Sequence, residues 1–501
     1  MARYSDRESE SGDAAAAGDR VLKALNPGAE WKLSATEGSS GVELLEGGID
    51  AFAIRRLLVE RAERTIDLQY YIWHDDLTGA LMLEYLRRAA LRGVHVRLLV
   101  DDNGISGLDQ KLRWLALSPN IAVRIFNPFH SRRFKPLDLL FRFRAANRRM
   151  HSKSFTIDNA VTIVGGRNIG DEYFAAKQSQ AFADLDALCV GPVVGEVSDC
   201  FEQFWASSGA VPVETVVDPL STRATEAVES EMSRRISGSE TRDYERQLAQ
   251  AQILDRIANG GLEFTWAPVR LVSDSPDKAL TAEAQCKSLP DALTDIIGEP
   301  EHELLIVSGY FVPAEDGVRA LAEMVGARGI AVQVLTNSYA ALDVGVVHAG
   351  YAEHRQRLVE AGVELFEMPA PGDQPKTNRK LAHGILRRSA GAPGPMLHAK
   401  LFCIDAKRLY VGSLNFDPRS FLLNTELGIV IDCAPMARRI QDLFKGEVEQ
   451  NSYRLVVDDG GLGWIDERDD DPELERTEPG TSVISRVIVA ALGRLPIDWL
   501  L

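Results

Sequence analysis

Only five of the 501 residues are cysteines, Cys189, Cys200, Cys286, Cys403 and Cys433. Their number is odd and their spacing scattered, and no CxxC or Cys/His cluster has zinc spacing. Neither a disulfide framework nor a structural zinc site is indicated, and the thiols read as reduced, in a cytoplasmic compartment. Also missing is any apolar run of the roughly 18 or more residues that a membrane span needs. The opening MARYSDRESESGDAAAAGDR is polar and acidic, without the apolar stretch of a secretory signal, and residues 1–40 read as a partly disordered tail. Positive charge is short as well. With 56 Lys and Arg against 73 Asp and Glu the formal charge is -17, which argues against a nucleic-acid partner, since such proteins neutralise phosphates with a basic face. Any phosphate-binding region must therefore be local.

What is present is a large apolar fraction, 45%, enough for more than one core. TIDLQYYIW (65–73) has the β-branched and aromatic content of a buried strand. In the GALMLEYLRRAALRG stretch that follows, Leu81, Met82, Tyr85, Leu86 and Ala89 fall on one helical face, with Gly93 as the stop. VHVRLLV and VRIFNP supply further strands. The same order returns as ELLIVSGYFVP, DGVRALAEMVGARG, IAVQVLTNS and VELFEMP. The expected fold is α/β: two duplicated α/β/α halves, each a mixed sheet flanked by helices, at 41–214 and 271–455. A helical linker at 215–270 separates them, and 456–501 reads as an acidic, solvated loop before an apolar C-terminal helix.

Histidine is scarce too, at nine residues, yet HSKSFTID sets His151, Lys153 and Asp158 at the spacing that HAKLFCID repeats as His398, Lys400 and Asp405. Residues two apart in an extended stretch share a face. An imidazole could then reach a phosphorus atom while an ammonium binds its oxygens. The aspartates lie five residues after the lysines, on the other parity and beside a turn, and are expected to brace the backbone. Each is followed by a short strand and a small-residue loop, VTIVGGRN to Asn168 and RLYVGSLN to Asn415, where glycines admit a close backbone approach and an amide can donate to a phosphoryl oxygen. FADLDALCVGP and NTELGIVID then place Asp184 and Glu426 at corresponding positions, where a carboxylate can bond the far ring nitrogen of a histidine. His74, His95, His130, His302, His354 and His383 read as surface or satisfied core groups; His348 is either structural or at the pocket's edge.

The paired HSKSFTIDNAVTIVGGRN and HAKLFCIDAKRLYVGSLN resemble the two HxKxxxxD motifs of the phospholipase D superfamily. IDLQYYIWHDDLTG, LTNSYAALDVGVVHAGY, GSLNFDPRS and the ending IDWLL resemble, more narrowly, bacterial cardiolipin synthases of the C type. The resemblance implies two halves meeting at one active site and a metal-independent, cofactor-free phosphodiester exchange. It also implies that His151 attacks phosphorus to form a phosphatidyl-histidine and that His398 protonates the departing alcohol and deprotonates the incoming one. Lys153, Lys400, Asn168 and Asn415 would hold the non-bridging oxygens, and Asp184 and Glu426 would orient the histidines, each across to the other half. The implied product is cardiolipin, made from phosphatidylglycerol and a second phospholipid, phosphatidylglycerol or phosphatidylethanolamine. Hydrolysis to phosphatidic acid by the same residues is the alternative, and a nuclease of this superfamily the lesser one, because the tyrosyl-DNA members replace the motif aspartates that stand here as Asp158 and Asp405. A protein partner is left open by one chain.

Two stretches suggest a peripheral place at the cytoplasmic face of the inner membrane. HSRRFKPLDLLFRFRAANRRMHSK interleaves Arg132, Arg133, Lys135, Arg142, Arg144, Arg148 and Arg149 with apolar residues, as a lipid-facing surface does. VISRVIVAALGRLPIDWLL is apolar but too short to span.

Overall fold

The computed structural model describes residues 11–26, 38–130, 132, 146–177, 181–281, 298–342, 345–371, 373, 396–448, 450–469, 471–484 and 486. The first half is a mixed sheet. Its strands run, edge to edge, Ser39–Leu45, Asp186–Val190, Val161–Gly165, Ser154–Ile157, Thr65–Ile72, His95–Gly104, Ile121–Phe126 and Ala210–Pro212. Thr65–Ile72, His95–Gly104 and Ile121–Phe126 pair in parallel and the other neighbours antiparallel. Helix Leu77–Leu91 supplies the crossover between the first two parallel strands. It buries Leu81, Met82, Tyr85, Leu86 and Ala89 against the sheet, the face that the sequence period marks out.

The second half repeats this order with Thr265–Ser273, Leu427–Asp432, Arg408–Gly412, Lys400–Ile404, Glu303–Ser308, Ala331–Asn337 and Glu364–Met368. Again the last three are parallel and the rest antiparallel. The duplicated α/β halves expected from the sequence are therefore present, down to strand direction. Ser39–Leu45 also pairs antiparallel with Thr265–Ser273, Ser40 opposite Ala267, so the two sheets join edge to edge into one continuous sheet. A buried apolar cluster spans the junction, with Val42, Val164, Leu185 and Phe201 from the first half and Leu305, Leu397, Val411 and Ile429 from the second.

Three regions differ from the sequence reading. Within the expected tail, helix Ser11–Leu25 buries Val21 and Leu25 completely. Helices Thr222–Ile236, Ser239–Ala249 and Gln252–Ala258 do not form a free linker. They place Val228, Met232, Tyr244, Leu248 and Ile253 in the first half's core, where Tyr244 stacks obliquely on Phe52 and donates to Phe174 O at 2.9 Å. Their polar composition concealed an amphipathic face. Finally, Tyr453–Asp458 and Gly461–Asp466 form a hairpin on the edge strand Glu364–Met368. Its acidic continuation is partly buried: Arg468 is held by Asp466 and Asp373, and Glu478 by Arg355. Opposite charges let an acidic run turn inward where isolated carboxylates would not. The C-terminal apolar stretch lies almost wholly outside the described residues, and among those residues no helix is long and apolar enough to cross a membrane.

Candidate active site

Each motif histidine enters the site on a short segment that crosses to the other half. Met150 forms a parallel bridge with Thr425, and His151 N donates to Thr425 O at 2.9 Å. By the same logic Met396–Leu397 pairs in parallel with Phe182–Ala183, and His398 N donates to Ala183 O at 2.8 Å. The residue following each acceptor is the carboxylate, so the crossings set Glu426 beside His151 and Asp184 beside His398. His151 Nδ1 lies 2.8 Å from a Glu426 oxygen and His398 Nδ1 lies 2.6 Å from an Asp184 oxygen. With Nδ1 engaged on a carboxylate, Nε2 is the nitrogen left for chemistry in both rings. Lys153 Nζ donates to His151 O and Lys400 Nζ to His398 O, with Lys400 Nζ 3.0 Å from His398 Nδ1. All six side chains are buried.

This concentration of groups governs its own charge. Burial, then Lys153, Lys400 and His398, push His151 well below its ordinary value. Burial and Lys400 lower His398 to about 4 against the pull of Asp184. Because each imidazole is depressed by groups of the opposite half, the two motifs share one electrostatic site. Lys153 is brought down to about 7, by burial above all. Glu426 is pushed up to about 7 by burial, against Lys153 and Ser413. Burial works to raise Asp184, but His398, Lys400 and Arg167 outweigh it and hold the carboxylate well below its usual range. An anion placed among two lysines and two imidazoles would relieve their repulsion, so the pocket suits a phosphodiester.

Asp158 and Asp405 face away from this chemistry. Each occupies a left-handed turn, φ 51° and 52°, at the tip of its hairpin. From there Asp158 accepts the backbone N–H groups of Glu63, Arg64 and Thr65, and Asp405 those of Glu301, His302 and Glu303. The carboxylates thus pin the hairpin that carries His and Lys to the start of the adjacent strand. Asp and Asn tolerate this backbone region better than most residues, whereas Ala406 at φ 48° is held there by the turn.

Asn168 does not sit as the sequence led us to expect. Its Oδ1 accepts from Ile72 N at 3.1 Å and its amide donates to Tyr173 Oη at 2.9 Å, so it fixes the loop under His398. Asn415 is also buried, but among the described residues its Oδ1 has no partner, leaving an amide that can turn toward a ligand. His348 is fully buried and contacts Glu478, Arg355 and the rings of Tyr339 and Tyr351, none of them in the paired motifs. Within the basic stretch, Arg132 is bound by Asp102 and Asp109, Arg149 lies buried against Asp101 and the Phe129 ring, and Arg148 donates to Lys278 O and Thr281 O. Arg149 is buried and Arg132 and Arg148 are half-buried, each engaged by protein groups; Arg133, Lys135, Arg142 and Arg144 lie outside the described residues. His74, Asp76 and Glu172 approach one another closely enough to share an ion, but Asp76 caps helix Leu77–Leu91 through Gly79 N and Glu172 is paired with His74 at 2.9 Å.

Several contributors were missed in the sequence. Tyr71 meets His151 edge-on with ring centres 5.0 Å apart, and His398 is stacked on Phe182 at 5.2 Å and flanked by Tyr173 at 5.1 Å. Ser413 Oγ donates to the Glu426 oxygen that also meets His151. Arg419 reaches from the second half to Asn147, four residues before His151. Asp101 accepts from Met150 N at 2.9 Å. The doubled aspartate at the end of VRLLVDD was the one available signal for that bond, since a carboxylate closing a buried strand needs a partner.

The profile described as cardiolipin synthase, PLD-like domain matches residues 56–205 and 293–448, one stretch in each half. The chain belongs to this family. Cardiolipin synthase C of Escherichia coli (strain K12) is 43% identical over 472 residues, covering 93% of this chain and 97% of that protein. A cardiolipin synthase of Halalkalibacterium halodurans is 25% identical over 390 residues, 78% of this chain and 62% of its own length. Among solved structures, the phosphatidylserine synthase of Haemophilus influenzae Rd KW20 superposes over 97% of this chain and 99% of that one, with a TM-score of 0.58 at 15% identity. That likeness is one of fold.

Proposed function

We propose that this family member is a phosphatidyltransferase that forms cardiolipin from phosphatidylglycerol and a second phospholipid, phosphatidylglycerol or phosphatidylethanolamine. The observation that carries the reading is the crossed pairing, His151 with Glu426 and His398 with Asp184, in a site where the lysines of both halves act on both imidazoles.

In the forward step His151 Nε2 attacks phosphorus, forming a P–N bond. The P–O bond to the headgroup alcohol breaks, and His398 gives that oxygen its proton. In the second step His398 takes the proton from a hydroxyl of phosphatidylglycerol, whose oxygen attacks phosphorus; the P–N bond breaks and His151 is restored. Glycerol or ethanolamine is released, and the phosphodiester count is unchanged. Lys153 and Lys400 stabilise the negative charge that builds on the non-bridging oxygens, in a buried site where such contacts act at low dielectric. Asp158 and Asp405 act at a distance, by holding the hairpins. A lipid substrate requires the protein to work at a membrane surface, and the cytoplasmic side is part of the proposal.

Hydrolysis to phosphatidic acid uses the same residues and differs in which hydroxyl reaches the P–N intermediate. Mass spectrometry of products from isotopically distinguishable phosphatidylglycerol and phosphatidylethanolamine decides between them. Cardiolipin labelled according to its donor is the expected result; phosphatidic acid without cardiolipin overturns the transferase reading.

A further inference from the structure

The two histidine–carboxylate pairs match in geometry but not in what stands behind them. In the first half Leu45 pairs with Asp186, two residues after Asp184; in the second Val272 pairs with Gly428, two residues after Glu426. By this register Gly47 is the counterpart of Asp274, but the pairing in the first half ends at Leu45, whereas in the second half Asp274 stands beside Glu426. Asp274 N donates to Glu426 O and its carboxylate accepts from Glu426 N, both at 3.0 Å. Four residues on, Lys278 Nζ lies 2.8 Å from the same Asp274 oxygen and donates to Ser420 O at 3.1 Å. Both side chains are buried. Behind Asp184 the cation is instead Arg167, which donates to Asp184 O and pairs with Asp186 at 3.3 Å; its counterpart in the second loop, one residue before Asn415 as Arg167 is before Asn168, is the apolar Leu414.

We propose that Asp274 and Lys278 are positioning residues that set the charge of Glu426, and through it the readiness of His151 as a nucleophile, making two matched imidazoles unequal. The inference rests on the phosphodiester-exchange reading above. Facing Glu426 are His151 and Lys153 from the first half, Ser413 and Tyr410 from the strand beside it, Asp417 and Ser420 from the helix that follows, and the Asp274–Lys278 pair. Burial raises Glu426 to about 7, and Lys153, Ser413 and Lys278 pull it back, so this carboxyl is poised near neutrality while Asp184 is firmly ionised. Among the described residues one of its oxygens accepts no bond within hydrogen-bond geometry, although Ser420 lies close enough to lower Glu426. Ionised, Glu426 accepts the Nδ1–H of His151 and leaves the Nε2 lone pair free. Protonated, it donates to Nδ1, moves the ring proton to Nε2 and blocks attack. The acid limb of the pH–rate profile then follows this pair.

Opposite shifts test the proposal. In the full-length protein, total turnover of phosphatidylglycerol vesicles, counted as cardiolipin plus phosphatidic acid, is measured against pH. Lys278→Met removes the cation and moves the acid limb up by about one pH unit; Asp274→Asn keeps an acceptor for Glu426 N but leaves Lys278 uncompensated, and moves the limb down by about as much. Lys278→Arg restores the wild-type limb. Loss of activity with an unmoved limb, or displacement of both variants in one direction, overturns the proposal as a merely structural role. Asp274→Asn is isosteric and decides the question by itself if Lys278→Met does not fold. A wild-type protein that turns over no phospholipid at any pH overturns the exchange reading, and this inference with it.

Discussion

Lys153 is the residue at which stability and chemistry oppose each other most directly. Its ammonium is buried beside Lys400, and its value falls from an ordinary 10.5 to about 7 even though Glu426 and Asp184 attract it. At about 1.4 kcal/mol per pH unit, keeping the proton in the folded protein costs about 5 kcal/mol. Lys153→Met removes that cost, which already includes the attraction to Glu426, together with the bond to His151 O, of the order of 1 kcal/mol. We therefore expect the variant to be more stable by about 4 kcal/mol near neutrality and slower by roughly two or more powers of ten, since an oxyanion contact is lost. The pH dependence is the distinguishing feature. Between pH 7 and 10.5 the unfolded chain holds the lysine proton and the folded one has released it, so the wild type gains stability as pH rises through that window. Below pH 7 both forms hold it and the full cost is present. The variant's advantage should then be largest at low pH and fade toward 10.5. Urea denaturation at about pH 6, 8 and 10 reads this as a converging pair of midpoints. A variant that is less stable at every pH, or whose advantage does not change with pH, would refute the argument that the ammonium is held against desolvation.

The other expectations concern separate parts of the site. Replacing Asp158 by Ala strands three backbone N–H groups and should lower stability by about 2–4 kcal/mol, with a smaller loss for Asp405→Ala, whose carboxylate is more exposed; thermal melts compare the two. His398→Ala should abolish turnover of phosphatidylglycerol yet retain part of the release of p-nitrophenol from a p-nitrophenyl phosphodiester, because that leaving group needs no proton; equal losses on both substrates would remove His398 from the acid role. Tungstate or inorganic phosphate should bind more weakly as pH rises through about 7, where Lys153 loses its charge; calorimetry that finds flat affinity across that range would count against a charged Lys153 in the anion site.

Much of this arrangement was legible because duplication makes local patterns confirm each other. The order of strand, helix and strand appears twice, and so does the His, Lys, Asp spacing. The helical face of Leu81, Met82, Tyr85, Leu86 and Ala89 is buried as its period requires. The cross-half pairing of Glu426 and Asp184 could be raised from corresponding positions, but its register depends on two parallel bridges that join segments more than 200 residues apart, and no local pattern encodes those. Composition misled where charge was internally compensated. The arginines at 132, 148 and 149 looked like a basic surface and are instead bound to Asp102, Asp109, Asp101 and backbone carbonyls. Thr222–Ile236 fell within the expected helical linker because its composition is polar, and only Val228 and Met232 of it are buried. Asp274 and Lys278 lie outside every motif, and only their position behind Glu426 gives them meaning.

The covalent step can be observed directly. Wild-type protein mixed with phosphatidylglycerol carrying a labelled phosphate, then quenched in alkali, should yield one labelled peptide, the one containing His151, with the acid lability of a P–N bond. The label should be absent from His151→Ala and retained in His398→Ala given a substrate with a good leaving group. A label carried by the His398 peptide, or turnover without any labelled histidine, would contradict the account.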